Sequence, residues 1–89
     1  MLEVSANQDD AAQRRHNLIT ESARLALQIE DAENSGNAIA EARLRVRYHT
    51  AQAELITLTP GGSLEAREDH LALARSYQIE LYRLGGGDR

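Results

Sequence analysis

The residue types best suited to acid–base or metal chemistry in this chain are its three histidines, His16, His49 and His70. On a helix, a histidine metal site needs a carboxylate or another histidine three or four residues away, where side chains share a face. Around His16 those positions hold Ala12, Gln13, Ile19 and Thr20. Around His49 they hold Arg45, Val46, Gln52 and Ala53, and around His70 they hold Ala66, Arg67, Leu73 and Ala74. None is a ligand, so the spacing excludes a helical di-iron carboxylate centre, and no metal or cofactor site is expected. His49 falls among apolar residues at helical spacing. It reads first as a core or interface group that fixes helix register, and second as a pH-sensitive contact.

Other catalytic patterns are weak. The serines are scattered, with no Gly-x-Ser-x-Gly elbow. Glu65, Glu68 and Asp69 cluster where a helix should begin, and complementing its dipole explains them without catalysis. Pro60-Gly61-Gly62-Ser63 precedes that helix and could in principle hold an anion. It has no strand before it and no lysine, so a plain loop is the better reading. No catalytic residue is expected, and the chain does not read as an enzyme.

Arg43, Arg45 and Arg47 form the one cationic cluster. Residues 37–60 carry three arginines and two glutamates, a local charge of +1, against −4 for residues 1–36 and −1 for 61–89. These arginines are the candidate contacts for an anion or nucleic acid. On a helix Arg43 and Arg47 share an edge while Arg45 lies elsewhere, so a solvated face, or pairing with the acidic end of the preceding segment, is preferred. A helix-turn-helix reading would set Glu65, Glu68 and Asp69 against phosphates, which counts against it.

The aromatic set is Tyr48, Tyr77 and Tyr82. Tyrosine offers an apolar ring and a hydroxyl in one contact, which suits interfaces. Leu44, Tyr48, Leu55, Leu58 and Tyr82 are the candidate partner surface.

Three segments must position these groups. Asn34-Ser35-Gly36-Asn37 and Thr59-Pro60-Gly61-Gly62-Ser63 punctuate the chain, and Ser63 is a good helix N-cap. The first segment, about 9–34, places Ala11, Leu18, Ser22, Leu25, Ile29 and Ala32 at spacings of three, four and seven, the mark of an amphipathic helix. Its start could be capped at Ser5 or Asp10. Its last turn holds Glu30, Asp31 and Glu33, the wrong sign for a helix C-terminus, which calls for a cation nearby.

The second segment, about 38–58, has two apolar stripes at roughly 100° per residue. Ile39, Ala42, Val46, His49, Ala53 and Ile56 lie on one side; Leu44, Tyr48, Ala51, Leu55 and Leu58 lie opposite. A helix so patterned belongs between two neighbours. The alternation from Arg43 to His49 also allows a β-hairpin over about 43–59, giving an α+β alternative. Thr50-Ala51-Gln52-Ala53 lacks a turn residue and the flanking alanines favour helix, so helix is preferred. The third segment, about 63–84, gathers Ala66, His70, Leu73, Ala74, Tyr77, Leu81 and Leu84 on one broad face, with Gly85 as a stop and 85–89 as a flexible tail.

The whole chain of 89 residues is one small domain. It has no cysteine, which excludes disulfides, thiol nucleophiles and Cys-based zinc sites, and no lysine, which excludes Schiff-base chemistry and a Walker A loop. Of its apolar residues 14 are alanine, and there is no Phe or Trp, so one core is thin for this length. The net charge of −4 disfavours wrapping duplex DNA. No apolar run approaches the ~20 residues of a membrane helix, and no signal-peptide core opens the chain.

The expected fold is all-α, three amphipathic helices in an antiparallel hairpin or small bundle that self-associates. The expected role is a non-enzymatic protein–protein interaction module: an adaptor, co-chaperone or assembly component. Phage particles and secretion systems use such proteins, an analogy of fold alone. The alternative is a small dimeric nucleic-acid-binding regulator acting through Arg43, Arg45 and Arg47. A protein partner or homo-oligomer is expected, with no membrane and no small-molecule substrate. The expected location is the cytoplasm, or an assembly built there.

Overall fold

The computed structural model describes residues 2–85, with side chains from residue 10 onward. Three helices follow one another: α1 (Leu2–Asn34), α2 (Ala38–Leu58) and α3 (Leu64–Arg83). The fold is all-α, with no strand among the described residues. The alternating run from Arg43 to His49 lies inside α2, so the hairpin alternative does not hold. The run's apolar members Leu44, Val46 and Tyr48 are half-buried, and its arginines Arg45 and Arg47 pair with carboxylates.

α1 begins at Leu2, earlier than the start near 9 expected from the caps. The stretch from Leu2 to Asp9 contains neither Gly nor Pro, so nothing there breaks the helix. Gly85 has φ +85°, and the rest of the expected tail lies outside the described residues.

Local chemistry ends each helix. After α1, Asn37 N–H donates to Ala32 O at 2.9 Å and Gly36 N–H to Glu33 O at 3.1 Å, the paired bonds of a Schellman motif. Gly36 sits at φ +69°, where a side chain is disfavoured. The Asn37 side chain then caps α2 by accepting from Ala40 N. After α2, Thr59-Pro60-Gly61-Gly62 closes with Gly62 N–H on Thr59 O at 3.0 Å. Proline then positive-φ glycine is the type II turn signature. Ser63 caps α3 by accepting from Ala66 N at 3.1 Å.

The short turns make neighbours antiparallel. Arg14 near the start of α1 reaches Glu54 near the end of α2, while Arg45 in the first half of α2 reaches Glu33 near the end of α1. α2 packs on α1 along one side and on α3 along the other, and among the described residues α1 and α3 do not meet. α2 therefore lies between the other two helices in a small bundle measuring 51 × 24 × 24 Å. The long dimension is that of α1, since 33 residues at 1.5 Å rise span about 50 Å.

The buried residues follow the predicted stripes. α1 contributes Leu18, Ser22, Leu25, Ile29 and Ala32; α2 contributes Ala42, Ala51 and Ala53; α3 contributes Ala74 and Leu81. Ala51 faces α1 beside Leu18, whereas Ala42 faces α3 beside Tyr77. Alanine on both sides of α2 brings the helix axes close but buries little apolar area per residue.

Ser22 is buried in the α1 stripe and its hydroxyl has no hydrogen-bond partner. An unmade bond of that kind costs stability, and alanine is the better helix former. Ser22→Ala is expected to raise unfolding free energy by about 1 kcal/mol, read as a higher urea midpoint at unchanged slope. A lower midpoint would mean that the hydroxyl is satisfied in solution.

Candidate functional site

The densest group of chemically capable side chains lies on the seam between α2 and α3. His49 Nδ1 and His70 Nδ1 are 2.9 Å apart, a hydrogen-bond distance. The ring centroids are 5.2 Å apart and the ring planes are inclined by 29°. That centroid separation is what two rings joined nitrogen to nitrogen along the line of centres produce. The two Nδ1 atoms therefore point at each other.

Helix register brings these rings together. His49 belongs to the stripe of α2 that also carries Ala42 and Ala53, and small alanines let α3 approach. His70 lies one turn before Ala74 on the buried side of α3. Tyr77 lies almost parallel to the His49 ring, at 2° with centroids 5.8 Å apart, and Tyr48 meets that ring edge-on at 5.2 Å. The Arg45 guanidinium lies 5.5 Å from the Tyr77 centroid, within cation–π range.

The electrostatics follow from this enclosure. Burial holds His49 below its ordinary value of 6.5, and the charges of His70 and Arg45 push the same way. Arg45 is also penalised by burial. Its hydrogen bond to Glu41 and the neighbouring Tyr77 and Glu33 outweigh that and raise its pKa, so it stays cationic.

Two facing imidazoles can share a proton, but they do not form a chelating bite. Among the described residues no group of three or more His, Cys, Asp or Glu gathers as metal ligands would. His16 lies apart from the pair, exposed on α1 beside Asn17, Thr20 and Arg24.

The arginine cluster is divided by the helix. Arg45 binds Glu41 at 2.9 Å and Glu33 at 3.1 Å, and Arg47 binds Glu21 at 3.1 Å. At 100° per residue Arg45 and Arg47 are 200° apart, on opposite sides of α2. Glu33 thus receives the cation that the acidic end of α1 called for. The Arg15 guanidinium donates to Leu58 O at 2.9 Å, satisfying a carbonyl in the last turn of α2. Exposed ion pairs of this type each contribute about 0.2–1 kcal/mol, so their value here is to fix register.

Of the candidate partner surface, Leu44, Tyr48, Leu55 and Leu58 are half-buried on α2, and Tyr82 is exposed on α3. The structure does not bring the five into one patch, because α1 lies along the α2 stripe that carries the first four. The histidine pair was not legible as a pair. His49 and His70 are 21 residues apart, and local spacing rules see only one turn of helix at a time. The available signal was that both fall on apolar stripes of consecutive helices, which an antiparallel turn brings together.

No helix among the described residues is long and apolar enough to cross a membrane. Compared with known proteins, the chain matches no family model, no curated protein and no solved structure.

Proposed function

We propose that this chain is a non-enzymatic helical interaction module, an adaptor or assembly component that works by docking its outer helical faces, in the first instance onto a second copy of itself. The observation that supports this reading is the helix order, with α2 between two neighbours and α1 and α3 each packed, among the described residues, against α2 alone. Leu64, Leu73, Ile79 and Tyr82 of α3, and Ile19 and Leu27 of α1, remain 41–75% exposed. Fully burying one such side chain is worth roughly 1.5–3 kcal/mol, so these positions are a substantial reserve for association. α3 carries four of the six, and three of these, Leu64, Ile79 and Tyr82, fall within about 60° of one another outside its buried stripe, which makes it the docking helix.

A nucleic-acid reading gains nothing from the geometry. Arg45 and Arg47 are engaged by carboxylates and lie on opposite sides of α2.

Light scattering across a concentration series, with circular dichroism on the same samples, tests the docking reading. The expected result is a mass above the 9.8 kDa of one chain, rising with concentration. The pair Ile79→Arg with Tyr82→Arg should return it to one chain's mass with helicity retained. A fully helical monomer at every concentration, unchanged by those substitutions, counts against the reading.

A further inference from the structure

We propose that His49 and His70 form a proton-gated latch between α2 and α3, closed while at most one of the two rings is charged and opened when both become imidazolium. A hydrogen bond between two Nδ1 atoms 2.9 Å apart needs one protonated and one bare nitrogen. Both rings can then be neutral, one carrying its proton on Nδ1 and the other on Nε2. A first added proton goes to the free Nε2 of the donor ring. The bond survives and becomes charge-assisted. A second proton has only the accepting Nδ1 to occupy, which sets N–H against N–H and two like charges at bonding distance. The rings must then separate, and they sit on different helices.

The groups around the pair do not relieve this. From α2, Arg45 adds a cation one turn from His49, and Tyr48 supplies a ring edge. From α3, Tyr77 covers the His49 ring, while Arg67 donates to Thr57 Oγ1 and Glu68. The carboxylates nearest Arg45, Glu41 and Glu33, are bound by it. Among the described residues α1 does not touch α3, so it does not hold α3 in place once the seam is strained.

The direction of the pH effect follows from His49. Its folded value lies below the ordinary 6.5 through burial, His70 and Arg45, so the unfolded chain binds more protons than the native one in acid. The stability from this site is complete above pH 6.5 and is lost as pH falls below it.

This inference is independent of the docking reading and uses different readouts. Side-chain nitrogen NMR of the full chain at neutral pH is expected to show complementary tautomers, one ring of the pair protonated at Nδ1 and the other at Nε2. Between about pH 7.5 and 5, where ordinary carboxylates stay charged, the thermal midpoint should fall roughly 5 °C further in the native chain than in His70→Gln. Amide exchange in α3 should rise in that window ahead of exchange in α1. Three results overturn the latch: both rings protonated at Nε2 at neutral pH; parallel acid losses in the native chain and His70→Gln; or simultaneous loss of protection in α1 and α3. The tautomer result and the exchange order decide the matter on the unmodified chain, even where His70→Gln does not fold.

Discussion

Leu25→Ala is expected to leave most of the chain unfolded at room temperature. Leu25 is 1% exposed and is the largest fully buried side chain, at the centre of the α1 stripe between Leu18 and Ala32. Truncating a buried leucine costs about 2–5 kcal/mol, the sum of lost transfer energy and a cavity the surroundings fill only in part. Against this, a core of this size supplies about 3–5 kcal/mol in all. Urea unfolding followed by helicity reads the change directly. Leu27→Ala is the control: Leu27 lies two residues along the same helix but is 65% exposed. It should shift stability by no more than about 0.5 kcal/mol. Equal effects from the two substitutions would mean that α1 does not dock on α2 through this stripe.

The second large effect is expected at Gly62. A Cβ there would stand 2.4 Å from Ile56 O, with Ile56 Cγ2 at 3.0 Å and Thr59 O at 3.1 Å. The nearest atom is a main-chain carbonyl and cannot swing aside like a side-chain tip. Gly62→Ala must therefore open the turn that joins α2 to α3, displacing the Gly62 N–H to Thr59 O bond. A cost of about 1–3 kcal/mol follows from forcing atoms into a closed site. Gly61 gives the contrast. Its φ of +76° disfavours a side chain by about 1–2 kcal/mol, yet nothing lies within 4 Å of an added Cβ. Asparagine tolerates that backbone conformation, so Gly61→Asn should recover much of what Gly61→Ala loses. Gly62→Asn should not recover, because its problem is space. Thermal midpoints of the four variants separate torsional from steric cost. Full recovery in Gly62→Asn would show that the turn yields easily.

The helices and their buried stripes were legible because the governing rules are local. Leu18, Ser22, Leu25, Ile29 and Ala32 recur at helical period, and α1 buries that set. Asn34-Ser35-Gly36-Asn37 and Thr59-Pro60-Gly61-Gly62-Ser63 carry their own turn and cap chemistry. The two opposed stripes of α2 required two neighbours, and α1 and α3 fill those places. The start of α1 was less legible. Several polar residues near it could cap a helix, while none could stop one that had already begun.

By itself the sequence determined the first and third helices and their buried sides, and that the middle segment, read as a helix, needs a neighbour on each side; that those neighbours are α1 and α3 was decided by the tertiary structure. Only the tertiary structure decided that Arg45 and Arg47 are separated onto opposite sides, each held by a different carboxylate of α1. Only it decided that His49 meets His70 nitrogen to nitrogen under Tyr77. The physical reason is the range of the interactions. Periodicity and capping act within a turn or two of chain. Contact across a seam depends on the rotation and register of two helices against each other, set jointly by the Thr59–Ser63 turn and by how closely the alanines let the backbones approach.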